Sequence, residues 1–160
     1  MRISIAIACI SIWVAGSLAA QRAVPIIQKE DLLRWKNSAA DTTFIINFWA
    51  TWCGPCVEEL PAFERLHRAS KNRNVRVILV NVDFKKNLHS AVIPFVEKRK
   101  LQSEVFFLDE PKANRYINEV SPDWSGAIPA TLVVNGARRY IRFHEGKLSY
   151  RALRRLAKPR

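Results

Sequence analysis

Methionine occurs once, as Met1, and histidine and cysteine three times each in 160 residues. No methionine-rich or histidine-rich segment is present to complete a copper site. A structural zinc site needs about four ligands. His67, His89 and His144 are scattered, and no second cysteine pair accompanies the closely spaced one. His67 falls about three helical turns beyond Cys56, too far to share a metal with it. There is no internal repeat and no low-complexity tract. A composition of 49% hydrophobic and 25% charged residues excludes the disordered class. Acid is scarce, with 14 Asp and Glu against 26 Lys and Arg, a formal charge of +12. A basic chain raises the question of nucleic acid, but no nucleic-acid motif supports that partner. The readings left are a solvated basic surface, or attraction to anionic headgroups or an acidic partner. The basic residues crowd the C-terminal part, from Arg138 and Arg139 through Arg142, Arg151, Arg154 and Arg155 to Lys158 and Arg160.

What is present begins with a targeting pattern. Arg2 precedes an uncharged, mostly apolar run from Ile3 to Ala20, and Ser17-Leu18-Ala19 offers small residues for a cut after Ala19. This reads as a secretory signal over residues 1–19, with an uncleaved anchor as the alternative. Cys9 lies inside the apolar run and is discarded with it. Residues 20–40 then form a lead-in and residues 41–160 one domain. Its size suffices for a sizeable core, since such chains bury about 70% of their unfolded surface. The expected location is extracytoplasmic, in a periplasm or its equivalent.

Along the domain, strands and helices alternate. A short helix is expected at Lys29 to Trp35. Phe44 to Trp49 and Val75 to Val82 read as buried strands, and Val105 to Leu108 as a short one. Val57, Leu60, Phe63 and Leu66 mark a helix to about Ala69, and Leu88 to Lys100 a second helix. Pro111 opens a further helix through about Val120. Ser121 to Pro129 is a loop. Asn135-Gly136 joins two strands, Ala130 to Val134 and Arg138 to Phe143, as a hairpin. Leu148 to Leu156 closes the chain as a helix. The order β-α-β-α-β-α-β-β-α implies an α/β fold, a mixed sheet with helices on both faces.

Cys53 and Cys56 fall where the first strand meets its helix. Unpaired N–H groups and the helix dipole there favour a negative sulfur, so a thiolate is available near neutral pH. Cys53 would attack a substrate disulfide, and Cys56, one turn on and more buried, would resolve the mixed disulfide. Pro55 stiffens the first turn. Three other readings of the pair stand beside this one: half a zinc site, a structural disulfide and a Cu(I) site. A disulfide closing so small a loop is a poor staple. Glu58 and Glu59 read as solvated first-turn charges.

The segment Asn47-Phe48-Trp49-Ala50-Thr51-Trp52-Cys53-Gly54-Pro55-Cys56 resembles a thioredoxin-superfamily active site, nearest the exported TlpA/ResA-like thiol–disulfide oxidoreductases. Glu59-Leu60-Pro61 is similar to that family's kinked active-site helix. Val80-Asn81-Val82-Asp83 resembles its next strand end, and Trp124 to Leu132 its cis-proline loop. The likeness implies a thioredoxin fold and an enzyme whose only redox group is the Cys53–Cys56 disulfide, with no cofactor and no metal. It implies that Pro129 follows a cis bond and faces the substrate, that Ile128 pairs with a substrate segment, and that Trp52 meets the partner beside Gly54 and Pro55. Trp49 is expected in the core. Thioredoxin carries an aspartate where this chain has Asn47, and the exported group brings a carboxylate from the loop after the second strand. Asp83 is the candidate for that proton transfer, although the group's acid falls one position later, at Phe84. The implied partners are a client protein with a disulfide, as in cytochrome c maturation or copper-site assembly, and a membrane thiol–disulfide electron donor. A disulfide-forming oxidase and a copper-binding assembly chaperone are the alternatives on the same fold.

Overall fold

Every residue of Thr43–Trp49 is buried, so this strand (β2) must be covered on both faces and paired on both edges. It pairs in parallel with β3 (Val75–Asn81) and antiparallel with β5 (Ala130–Asn135). The computed structural model describes residues 24–71 and 73–158. Among them, β1 (Ile26–Ile27) and β4 (Glu104–Leu108) extend the sheet on the β3 side, and β6 (Tyr140–Glu145) forms the opposite edge. The strand order is β1-β4-β3-β2-β5-β6, a mixed sheet as expected. The expected signal over 1–19, its cut after Ala19 and Cys9 lie outside the described residues. No helix among the described residues is long and apolar enough to cross a membrane.

Alternation along β2 decides which face each residue serves. Ile45 and Trp49 join the core beneath α2 (Gly54–Ala69), α3 (Ile93–Arg99) and α5 (Tyr150–Leu156), with Leu60, Phe63, Val96 and Leu153. Phe44, Ile46 and Phe48 face the other core, with Leu32 of α1 (Lys29–Lys36) and Val120 of α4 (Ile117–Val120). Trp124 packs there too, its ring 4.5 Å from that of Phe48. By the same alternation Asn47 points under α2, an apolar place for an amide.

Several elements differ from the sequence reading, each for a physical reason. The lead-in is part of the folded body: β1 pairs with β4, and Leu32 of α1 is buried. The helix expected from Pro111 to Val120 is only a 3-10 turn at Ala113–Arg115 followed by α4. Its first half is exposed and has nothing to bury, while Tyr116 and Val120 carry the core contacts. The helix expected from Leu88 starts in a 3-10 turn at Lys85–Asn87 and a wide π turn at Leu88–Val92 before α3. Pro94, in the first turn of α3, has no N–H to continue a regular ladder backwards.

The hairpin at Asn135-Gly136 exists, but Asn135 ends β5, and residues 136–139 form the loop. The Asn135 amide donates to Asp41 Oδ1 and Thr43 Oγ1, both at 3.1 Å, and its oxygen accepts from the Arg138 N–H at 3.0 Å. Gly136 is required by close approach: a Cβ there would overlap the Ser38 carbonyl. Gly136→Ala is therefore expected to lower stability by about 2 kcal/mol, the scale of overpacking against groups that cannot move aside. Urea unfolding measures it, and an unchanged midpoint would contradict the contact.

Candidate active site

The α2 helix starts where β2 ends, because Gly54 and Pro55 suit a first turn whose amides need no intrahelical partner. Cys53 is the N-cap. Its sulfur accepts from the Cys56 N–H at 3.3 Å, the contact a hydroxyl oxygen makes at other helix starts. Cys53 and Cys56 form a disulfide, with Cα atoms 5.3 Å apart. Cys53 is 5% exposed and Cys56 0%, so an incoming group meets Cys53 first. Trp52 beside it is 63% exposed. Pro61 lies inside α2 and leaves the Val57 carbonyl without its usual donor.

The loop before β5 brings a second element to the sulfurs. The Ile128–Pro129 peptide is cis. The Ile128 carbonyl oxygen lies 3.7 Å from Cys53 Sγ. In the disulfide that sulfur carries no proton, so this is a contact rather than a hydrogen bond. Among the described residues nothing accepts from the Ile128 N–H. The loop is held from below: Trp124 Nε1 donates to the Ala127 carbonyl at 2.8 Å, and the Gly146 N–H to the Pro129 carbonyl at 2.8 Å. A groove of about 380 Å³ opens beside it, lined in part by Trp52, Phe84, Tyr116, Trp124 and Ile128.

Three carboxylates lie near the motif, Asp83, Glu58 and Glu59, and the first and last of them are buried. Asp83 is buried. It accepts from the Thr51 N–H at 2.8 Å, Thr51 Oγ1 at 2.7 Å and Asn81 Nδ2 at 2.9 Å, and so ties the end of β3 to the turn before Cys53. These bonds make it a clasp between β3 and the turn before Cys53. Asp83→Asn would turn an amide N–H toward a donor, and should cost about 1–2 kcal/mol. The pH profile of thiol reactivity should keep its shape. A profile displaced in that variant would return Asp83 to proton transfer.

Glu58 is exposed and pairs with Lys147 at 2.7 Å, a solvated charge as expected. Glu59 is not: it is 2% exposed. Its Oε1 accepts from Asn47 Nδ2 and its Oε2 from the Leu148 N–H, both at 2.7 Å. Burial pushes its pKa up from 4.5 to about 7, against the pull of those two bonds. The signal was in the pattern. Cys56, Leu60 and Phe63 form the buried stripe of α2, and Glu59 falls on it one turn after Cys56, so its side chain meets the apolar core. Asn47 also donates to Thr131 Oγ1 at 3.1 Å, while its own Oδ1 is buried and unpartnered. No cluster of three or more His, Cys, Asp and Glu able to hold a metal occurs among the described residues.

A model of the AhpC/TSA family matches residues 27–140. Sporulation thiol-disulfide oxidoreductase A of Bacillus subtilis is 27% identical over 97 residues, 56% of this chain and 58% of that protein. Thiol-disulfide oxidoreductase ResA of the same organism is 28% identical over 104 residues, 65% of this chain and 53% of that one. The chain thus spans little more than half the length of these curated relatives. Among solved structures, StoA from Bacillus subtilis aligns with a TM-score of 0.60 at 22% identity, covering 76% of this chain and 86% of that one. A thioredoxin-family thiol:disulfide interchange protein from Chlorobium tepidum TLS aligns at 0.62 and 21% identity, covering 75% and 80%. The fold is the thioredoxin fold.

Proposed function

The chain belongs to the AhpC/TSA family, and from that premise we propose that it is a thiol–disulfide oxidoreductase acting on the disulfide of a client protein. The observation that carries the reading is the Cys53–Cys56 disulfide at the start of α2, facing the unpaired Ile128 backbone. In the reduced form the Cys56 N–H and the helix start stabilise a Cys53 thiolate. That thiolate attacks one client sulfur. The client S–S bond breaks, a Cys53–client bond forms, and the other client sulfur leaves as a thiolate. Cys56 then loses its proton and attacks Cys53 Sγ, which frees the second client thiolate and leaves Cys53–Cys56 oxidised. Two electrons pass to the client. Glu59 is the acceptor for the Cys56 proton, since a carboxyl pushed up to about 7 is matched to proton exchange near neutrality. The pair is the only redox group this scheme uses. The Ile128 backbone pairs with the client segment while Trp52 and the adjoining groove receive its side chains.

The net direction we propose is reduction. Gly54-Pro55 and Ile128 before Pro129 resemble the reducing branch, and the named relatives are oxidoreductases without a stated direction. The apolar run from Ile3 to Ala20 supports export, and an aligned neighbour from Corynebacterium glutamicum is described as a secreted thiol-disulfide isomerase. A reductant outside the cytoplasm needs a membrane thiol–disulfide donor, and its clients would be those of cytochrome c maturation or copper-site assembly. Equilibration with glutathione buffers tests the direction: a potential near or below about −250 mV supports a reductant, and one near about −120 mV reverses it. Cys56→Ala should accumulate a Cys53–client mixed disulfide in cells. If none forms, exchange is not the function.

A further inference from the structure

The basic surface has a shape. Between β6 and α5 runs a groove of about 700 Å³ with no acidic residue in its lining. Its floor is apolar, with Tyr140 and Leu156, and its walls carry Arg139, Arg142, Arg155 and Lys158. Arg138 is committed to Asp41 at 2.9 Å. The four wall cations are exposed and have no ion pair among the described residues. Arg142 lies over the Tyr140 ring at 4.9 Å and gives Nη1 to the Ile141 carbonyl, which holds the guanidinium at the lip. Like charges around one apolar concavity repel each other and focus a positive potential into it. The groove is bounded by β6, an edge strand whose outer backbone groups have no strand partner among the described residues.

Three features define the occupant. An open edge takes an extended chain by main-chain pairing. Guanidinium groups take carboxylates in paired bonds. The alternate side chains turn to the opposite face of β6, where Ile141 is exposed. A planar bilayer surface would leave such a concavity unfilled. The described chain also enters the fold at β1, five strand spacings or about 24 Å from β6. We propose that the β6–α5 groove docks an extended segment of a partner protein with acidic and apolar residues in alternation, paired along β6 and held by Arg139, Arg142 and Arg155. This does not rest on the exchange chemistry and stands if Cys53 and Cys56 prove inert.

The probe is a fluorescein-labelled peptide of sequence Glu-Val-Glu-Phe-Glu-Val-Glu-Leu, titrated with the full chain at physiological salt and followed by anisotropy. The expected result is saturable binding that the Gln-for-Glu peptide lacks. The triple variant Arg139→Gln/Arg142→Gln/Arg155→Gln should weaken it by about 30-fold, three exposed charge pairs together. Lys71→Gln/Lys86→Gln/Lys98→Gln removes the same charge from positions outside the groove and should change affinity less than about threefold. All six residues are exposed, so both variants should fold, and urea-unfolding midpoints equal to that of the unsubstituted chain check that. Absence of peptide binding overturns the proposal, as does equal weakening by both triple variants, which would mean net charge alone. It also fails if vesicles with about one third anionic lipid bind through these arginines while the peptide does not.

Discussion

Serine in place of Cys53 is expected to abolish disulfide exchange while leaving the fold in place. A hydroxyl is not ionised near neutral pH, so the attacking thiolate is gone, and the rate with a chromogenic aromatic disulfide should fall at least about a thousandfold. The same substitution is benign for α2. Cys53 is the N-cap and its sulfur accepts from the Cys56 N–H. Serine is among the best residues for that contact. The lost disulfide closes only a short loop, with a sequence separation of 3, and so constrains the unfolded chain little. Thermal unfolding of Cys53→Ser should therefore stay close to that of the reduced wild type while exchange disappears. Cys56→Ser should separate the steps differently: the first attack survives and the mixed disulfide accumulates, visible by intact mass. Exchange retained in Cys53→Ser would remove Cys53 as nucleophile.

The parts of the fold legible in the sequence are those buried on every side. β2 and the helix after it stand out because Phe44 to Trp49 is an apolar run broken only by Asn47 and bounded by a motif with one sensible geometry. β1 was illegible because two residues carry no periodicity; only its pairing with Phe107 and Leu108 makes it a strand. Pro111 suits a helix start, but a helix there needs an apolar face that residues 111–115 do not have. At the site, the cysteines, the exposed Trp52 and the cis peptide before Pro129 could be read from one segment each. The carboxylates could not. Asp83 and Glu59 are both acids beside the motif, and their difference is tertiary: three donors converge on Asp83, whereas Glu59 meets only two within the core. Placement early in α2 suggests a dipole charge for Glu59, while its position on the buried stripe with Cys56, Leu60 and Phe63 decides its burial.

Glu59→Gln tests that difference, through both stability and chemistry. The wild-type carboxyl titrates from 4.5 in the unfolded chain to about 7 in the fold, raised by burial. The folded state therefore holds its proton more tightly. Its contribution to stability is complete below pH 4.5, declines as pH rises and is lost above about 7, a fall of about 3 kcal/mol. Glutamine cannot ionise, so the unfolding free energy of the variant should be nearly flat over that window. The site can accommodate the amide. The oxygen of the introduced amide keeps the Leu148 N–H, and Asn47 can turn its buried, unpartnered Oδ1 toward the new N–H donor. The same turn lets Asn47 Oδ1 accept a hydrogen bond from the O–H of a neutral Glu59, so both protonation states have a partner. Chemistry then separates proton transfer from simple filling of space. With Glu59 present, the attack of Cys56 on the mixed disulfide should accelerate through about pH 7. In Glu59→Gln it should follow the buried thiol itself, displaced to alkaline pH and at least about tenfold slower at neutrality. A stability profile that flattens while the kinetic profile stays in place would make Glu59 a buried charge without a part in exchange. If both profiles move together, one carboxyl sets both, because the low-polarity environment that makes Glu59 costly to ionise is also what tunes it to accept a thiol proton.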